Sequence, residues 1–282
     1  MKILGKDLVE SVYSDTRSNV ERLADHHIVP TLVILKSMST PGIDTYITQK
    51  VKKGSELGIN VRVFEPTAAV LNDANALGAA VKQLSAERTV HGILLQKPSH
   101  PNVNEAIEQL IDPAKDVDGF RSDSLHKAPV YRGVMRVLQQ IYAKDFPDIL
   151  QSKTFVILGK GKAGGGPVID GLKKDGIHTI HVIDSKTSPI DRLNHMKYAS
   201  IIISAVGKRN PIDPKLIPEG SIVIDFGDHM EQGKIASDFE EKDIQERAAY
   251  YTTSPGGVGV LTVAYLMDNV VNQAIATLTP NA

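Results

Sequence analysis

An α/β protein with mostly parallel sheets and two domains is what this 282-residue chain predicts. Three observations point there. Short apolar runs rich in β-branched residues recur along the whole chain. They are continuous rather than alternating, which marks strands covered on both faces. Between them lie stretches that fit helices, giving a βαβα order.

Taken in order, T-L-V-I-L (31–35), N-V-R-V-F (60–64) and G-I-L-L-Q (92–96) form a first group of strands, with helices over 42–57 and 70–86. The helix over 42–57 has a defined start. Thr40 suits the N-cap, Pro41 the first helical position, and Asp44 the positive end of the helix dipole. Gly58 ends it, with Lys52 and Lys53 toward its C-terminus. A less regular region follows over roughly 112–150, with one helix over 133–144. A second group then comes: T-F-V-I-L (154–158), T-I-H-V-I (179–183), S-I-I-I-S (200–204) and S-I-V-I-D (221–225), with a helix over 164–175. All seven runs read as buried strands. From Val260 to about Thr277 the chain reads as a long helix. No strand follows for it to pack beside, so it is expected to return to the first domain. The expected division is 1–125 plus the helix about 260–282 as a three-layer α/β catalytic domain, and 126–259 as a Rossmann-type dinucleotide-binding domain.

Composition excludes several classes. Thirty-two basic residues balance 33 acidic ones, which argues against a nucleic-acid or membrane-surface protein. No cysteine is present, so a disulfide framework, a thiolate metal site and a cysteine nucleophile are excluded. No 18-residue apolar run is expected, and the start M-K-I-L-G-K-D-L is too short and too quickly charged for a signal peptide. A soluble cytoplasmic protein is the expectation.

Five features carry candidate chemistry. Tyr46 and Lys50 lie at (i, i+4) and share a helix face. A lysine beside a ring on a buried face loses solvation and moves toward the neutral amine; taken singly, Lys50 is an ordinary solvated lysine and Tyr46 a half-buried ring. Gln96 sits at the C-terminal end of the third strand, where open parallel sheets bind ligands, and its amide can orient an amine. In K-D-V-D-G-F (115–120), Asp118 can accept two hydrogen bonds from an amino-heterocycle, or the segment is an Asx-type turn. No matching cluster of His, Asp or Glu stands near it, so no metal is expected. G-K-G-K-A-G-G-G-P (159–167) follows a strand and opens a helix, with Gly159, Gly161 and Gly164 in the G-x-G-x-x-G spacing that brings backbone N–H groups to a pyrophosphate. Asp184, about 25 positions after the first glycine, favours a ribose diol and NAD, while Lys160, Ser185 and Lys186 favour a 2′-phosphate and NADP. T-S-P-G-G-V-G-V-L-T (253–262) is a further glycine loop, close to a ligand or simply a helix entry.

In this order the features resemble the bifunctional methylenetetrahydrofolate dehydrogenase/cyclohydrolase family. Y-I-T-Q-K (46–50) matches its Tyr-hydrophobic-x-x-Lys, and Q-K-P-S-H (96–100) is similar to its Q-L-P-L-P. K-D-V-D-G-F is unchanged. The glycine loop at 159–167 is similar to G-R-S-x-I-V-G-x-P, and P-G-G-V-G-V-L-T (255–262) to P-G-G-V-G-P-M-T. The matches run from about residue 30 to the last helix.

The resemblance implies oxidation of 5,10-methylenetetrahydrofolate with a nicotinamide cofactor, NADP with NAD as the alternative. It also implies hydrolysis of the methenyl product to 10-formyltetrahydrofolate, within one-carbon metabolism and purine biosynthesis. It implies Lys50 as general acid/base, Gln96 as the group that tunes it, and Tyr46 stacked on the aminobenzoate. Asp118 would hold the pterin, and Gly256 and Gly257 would line the site. Gly159, Lys160, Gly161, Gly164, Ser185 and Asp228 would hold the cofactor. It implies tetrahydrofolate derivatives as ligands and a homodimer. Three departures stand out: Ile43 replaces a serine, Lys160-Gly161 replaces arginine-serine, and the stretch 121–132 is shorter than the family's loop. They leave a dehydrogenase-only enzyme, or a binding protein without turnover, as alternative readings.

Overall fold

The computed structural model describes residues 1–231 and 234–278. Helix α1 (Gly5–Ala24) buries Leu8, Val12, Thr16 and Leu23 at helical spacing. Strand β1 (Thr31–Leu35) is followed by α2 (Pro41–Glu56), β2 (Asn60–Phe64), α3 (Ala68–Asn72), α4 (Ala74–Ala86), β3 (Gly92–Leu95) and the short α5 (Glu105–Glu108). The strands pair in parallel in the order β2-β1-β3. The central β1 is buried along its whole length. Each fully covered Leu, Val or Ile there contributes about 1.5–3 kcal/mol of transfer free energy.

Helix α6 (Pro129–Tyr142) precedes β4 (Phe155–Leu158), α7 (Gly165–Lys174), β5 (Ile180–Ile183), α8 (Pro189–Met196), β6 (Ile201–Ser204) and β7 (Ile222–Asp225). A hairpin of β8 (Asp228–Glu231) and β9 (Lys234–Ser237) follows, then α9 (Glu241–Gln245), β10 (Tyr250–Thr252) and α10 (Val258–Ala276). The parallel sheet of this half has the order β10-β7-β6-β4-β5. This is the predicted two-domain α/β architecture.

The chain separates into two compact units. Met1–Glu10 and Val130–Thr262 form a five-stranded unit; Ser11–Pro129 and the stretch from Val263 form a three-stranded unit. The last helix therefore returns to the first domain, as expected: Gly54 leaves room for Met267, and Gly92 for Val270. The expected domain limits differ at two places. Residues 1–10 pack with the five-stranded unit because Ile3 N donates to the Tyr251 carbonyl and Gly5 N to the Gly256 carbonyl. The second unit starts at Val130, four residues later than expected.

Other expectations need correction. β2 and β5 are edge strands and only partly covered, because a continuous apolar run does not reveal its place in the sheet. The single helix over 70–86 is two, since the Asp73 carboxylate caps α4 through Asn75 N and Ala76 N. The helix over 133–144 starts earlier, at Pro129. Strands β8, β9 and β10 were not anticipated. Helix α10 is long and apolar enough to cross a membrane by length and composition, against the expectation of no such run, and 56% of its most apolar 18-residue stretch is buried within the fold. The stretch 279–282 of the expected last helix lies outside the described residues.

Candidate active site

Helix α2 is capped as predicted, with the Thr40 hydroxyl accepting from Ile43 N at 3.3 Å. Ile43, Ile47 and Gly54 form its buried stripe. Gly54 is required there, because a Cβ would fall 2.3 Å from Val61 Cγ2 of β2. Tyr46 and Lys50 flank that stripe and are half-buried. The Lys50 ammonium nitrogen lies 6.0 Å from the Tyr46 ring centroid.

Gln96 directly follows β3 and is buried. Its Oε1 accepts from Lys50 Nζ at 2.8 Å, and its Nε2 donates to the Lys97 carbonyl at 2.7 Å. The second bond turns the amide so that its acceptor faces the amine. Burial pulls the Lys50 proton affinity below the ordinary 10.5, and the Asp118 charge opposes this in part. Burial pushes Asp118 up to about 7; Lys50 lowers it, Asp116 raises it and Lys97 lowers it. Both side chains keep some open surface, but their charged atoms are closely surrounded. The structure thus brings Lys50, Gln96, Tyr46 and Asp118 together.

The K-D-V-D-G-F segment reaches this place by running beside β3. Ile93 N donates to the Lys115 carbonyl, and Ile93 bridges Asp116 in parallel. Val117 is fully buried against Gly92, where a Cβ would fall 2.8 Å from Val117 Cγ1. Asp116 has a structural role: its Oδ2 accepts from Arg121 N at 2.8 Å. Gly119 takes φ +69 to close the turn, which presents Asp118. The short stretch after Phe120 folds back onto that turn. Ser124 Oγ donates to the Asp116 carbonyl, and His126 Nε2 to the Ala114 carbonyl.

In the five-stranded unit, the glycine loop lies between β4 and α7. Gly159 takes φ +84, and a Cβ on Gly161 would meet open space. Gly164 is the N-cap of α7 and brings no side chain to it. The glycine that allows close packing is Gly165, missed in the sequence reading. A Cβ there would fall 1.9 Å from the Gly159 carbonyl oxygen. Three successive glycines (164–166) were the available signal. An open loop ahead of a helix N-terminus fits a dinucleotide pyrophosphate.

Ser185 is exposed beside Asp184. The Asp184 carboxylate is already engaged: Lys160 Nζ at 2.9 Å, Lys186 N at 2.8 Å and Thr187 Oγ1 at 3.3 Å. Lys160 above all holds it down to about 2. Asp228 is exposed at the start of β8, where it accepts from Ser254 Oγ; its carbonyl faces Gly207 in the loop after β6. Gly256 takes φ +99, and a Cβ on Gly257 would fall 2.7 Å from the Thr253 carbonyl oxygen. Backbone conformation therefore demands glycine at 256, and close packing demands it at 257.

Two further buried acids are Asp225, which ends β7, and Asp238, which follows β9 and meets the end of β6. Asp225 accepts from Phe239 N at 2.8 Å, Ser237 Oγ at 2.9 Å and Gly227 N at 3.1 Å. Burial, then the Asp238 charge, push it up to about 7. Asp238 accepts from Ser204 Oγ at 2.5 Å, Val206 N at 2.9 Å and Lys208 N at 2.9 Å. Asp238 therefore orders the loop 205–208.

Comparison with known proteins agrees along the whole chain. Residues 3–118 match the family model of the tetrahydrofolate dehydrogenase/cyclohydrolase catalytic domain, and 129–278 that of the NAD(P)-binding domain. The bifunctional protein FolD 1 of Acinetobacter baylyi is 31% identical, over 98% of this chain and 94% of the relative. The crystal structure of the FolD methylenetetrahydrofolate dehydrogenase/cyclohydrolase of Campylobacter jejuni superposes with a TM-score of 0.87 at 29% identity, over 98% of this chain and 99% of that one. The Trypanosoma brucei enzyme, solved with NADP and an inhibitor, shares the fold at a TM-score of 0.87 and 24% identity, over 99% of each chain.

Proposed function

The chain belongs to the tetrahydrofolate dehydrogenase/cyclohydrolase family, and we propose that it works through one buried amine, Lys50, oriented by Gln96. The activities are oxidation of 5,10-methylenetetrahydrofolate to the methenyl compound with NAD(P), and hydrolysis of that compound to 10-formyltetrahydrofolate. The observation that carries the assignment is the 2.8 Å bond from Lys50 Nζ to Gln96 Oε1.

The bound nicotinamide supplies the hydride acceptor. The product of oxidation is a methenyl cation. An ammonium beside it would oppose its formation, so the lowered proton affinity of Lys50 favours this step. Hydrolysis needs a proton acceptor for the attacking water and a proton donor for the ring nitrogen that leaves. One amine whose proton affinity is lowered by burial serves as both, contributing about 10²–10⁴-fold. Gln96 holds the nitrogen in place through both states, because its acceptor bonds the amine as well as the ammonium. Asp118 accepts the pterin N–H groups, and Tyr46 stacks on the aminobenzoate ring.

Gly159, Lys160, Gly161, Gly164 and Asp228 hold the cofactor. NADP is favoured over NAD. Both Asp184 oxygens are engaged by the chain itself, one of them by Lys160, while the exposed Lys186 side chain and Ser185 stand ready for a 2′-phosphate. The homodimeric, cytoplasmic form that the family resemblance implies belongs to the same proposal.

The test is Lys50→Met, assayed on the two half-reactions separately. Methenyl hydrolysis should fall by about 10²–10⁴-fold, with tetrahydrofolate binding kept within roughly threefold. Hydrolysis equal to that of the parent would remove Lys50 from the mechanism.

A further inference from the structure

Three loops leave the carboxyl ends of adjacent parallel strands: the glycine loop after β4, residues 205–208 after β6, and residues 226–228 after β7. Ligands of open parallel sheets bind beyond this edge. The middle loop touches both neighbours. A Cβ on Gly159 would fall 2.9 Å from the Ala205 carbonyl oxygen, and one on Gly164 3.2 Å from Ala205 Cβ. On the other side, a Cβ on Gly207 would fall 3.1 Å from the Asp228 carbonyl oxygen. Gly159, Gly164 and Asp228 are residues assigned above to the cofactor. Val206 and Lys208 are exposed, so burial does not fix the loop between them.

Asp238 does so from below. It follows β9 and is fully buried. Its Oδ2 accepts from Ser204 Oγ at 2.5 Å and Val206 N at 2.9 Å, and its Oδ1 from Lys208 N at 2.9 Å. Its own carbonyl accepts from Asn210 N at 2.7 Å. The alternate N–H groups of 206, 208 and 210 thus all bond to one residue. The third loop closes on the same carboxylate: a Cβ on Gly227 would fall 2.0 Å from Asp238 Oδ2. A loop already ordered before its ligand arrives costs less free energy on binding. We propose that Asp238 is a positioning residue for the dinucleotide, holding 205–208 as a wall between the glycine loop and Asp228. This rests on the cofactor reading above. Its effect falls on cofactor affinity and spares the cofactor-free hydrolysis at Lys50.

The test uses the full chain with NADP as probe and assays the two half-reactions separately. Asp238→Asn keeps the side-chain volume. Whichever way its amide turns, the NH₂ faces the N–H of either Val206 or Lys208. KM for NADP should rise about tenfold, as expected for one backbone donor left without its acceptor. At saturating NADP, kcat and the KM for methylenetetrahydrofolate should stay within about twofold of the parent, and so should methenyl hydrolysis. A merely structural aspartate would lower both half-reactions together as the folded fraction falls. Gly207→Ala disturbs the same loop without touching Asp238, because φ +71 strains any residue with a Cβ. It should raise the NADP KM about threefold, and it tests the loop even where Asp238→Asn does not fold. An unchanged NADP KM in either folded variant, or equal losses in the two half-reactions, overturns the proposal. A parent that binds no NADP by calorimetry overturns the cofactor reading, and this inference with it.

Discussion

Asp118 and Asp225 belong to different units, and burial pushes both up to about 7. Their surroundings differ. Asp225 is held by two backbone N–H groups and a serine hydroxyl, beside an Asp238 that has three donors of its own. Among the described residues no protein donor reaches Asp118; its neighbours are charges, two lysines and Asp116. A buried carboxylate inside a complete cage of donors is part of the scaffold. One that faces titratable groups without a donor is poised for a ligand. The raised value alone does not separate these cases, and the hydrogen-bond partners do.

The largest effect that tests this contrast is on stability. Asp238→Ala leaves the buried Ser204 Oγ and the part-buried Val206 N and Lys208 N without their acceptor. Denaturant unfolding of the five-stranded unit should show a loss of roughly 3–5 kcal/mol. Asp118→Ala should instead cause no loss of stability, since no donor is orphaned and a buried acid is removed. A stable Asp238→Ala beside an unfolded Asp118→Ala would invert the assignment.

The next effect is on binding. Calorimetry should show that Asp118→Ala weakens tetrahydrofolate by about 10–100-fold, as expected for losing hydrogen bonds to a charged acceptor. NADP affinity should change by less than about twofold. Equal losses for both ligands would make Asp118 a scaffold residue like Asp225.

Much of this site is legible in the sequence, for identifiable reasons. Tyr46 and Lys50 are linked by helical periodicity, and the Thr40 cap fixes where that helix begins. Gln96 is found because it ends an apolar strand, and Asp118 because the whole K-D-V-D-G-F run is present. What was missed depends on tertiary placement. β2 and β5 carry the same kind of run as β1 and β4, yet lie at sheet edges. β8 reads D-H-M-E and β10 is three residues long, so neither has a pattern to detect. Gly165 is one of three consecutive glycines, and only the approach of the Gly159 carbonyl identifies it. The partnership of Lys97 with Glu108, 11 residues apart, depends on α5 folding back under the strand end.

The effect that separates the groups most finely is the pH dependence of stability. Lys50 has a folded value below its unfolded 10.5, so the unfolded chain holds more protons between those limits. Stability contributed by Lys50 therefore rises with pH through that window, and is lost as pH falls toward the folded value. Asp118 and Asp225 act in the opposite sense. Their folded values of about 7 lie above the unfolded 3.8, so the folded chain holds the extra proton and stability declines from about pH 4 to pH 7. Lys50→Met should consequently be more stable than the parent at neutral pH, with a gain that vanishes near pH 10.5. Asp118→Asn and Asp225→Asn should each flatten part of the acid slope. Saturating tetrahydrofolate distinguishes them: by donating to the ionised carboxylate, it should abolish the Asp118 component and leave that of Asp225 in place. Chemical unfolding at a series of pH values, with and without ligand, reads all three. A ligand that alters both acid components alike would mean that the two carboxylates are not independent, and that their different partners do not decide their roles.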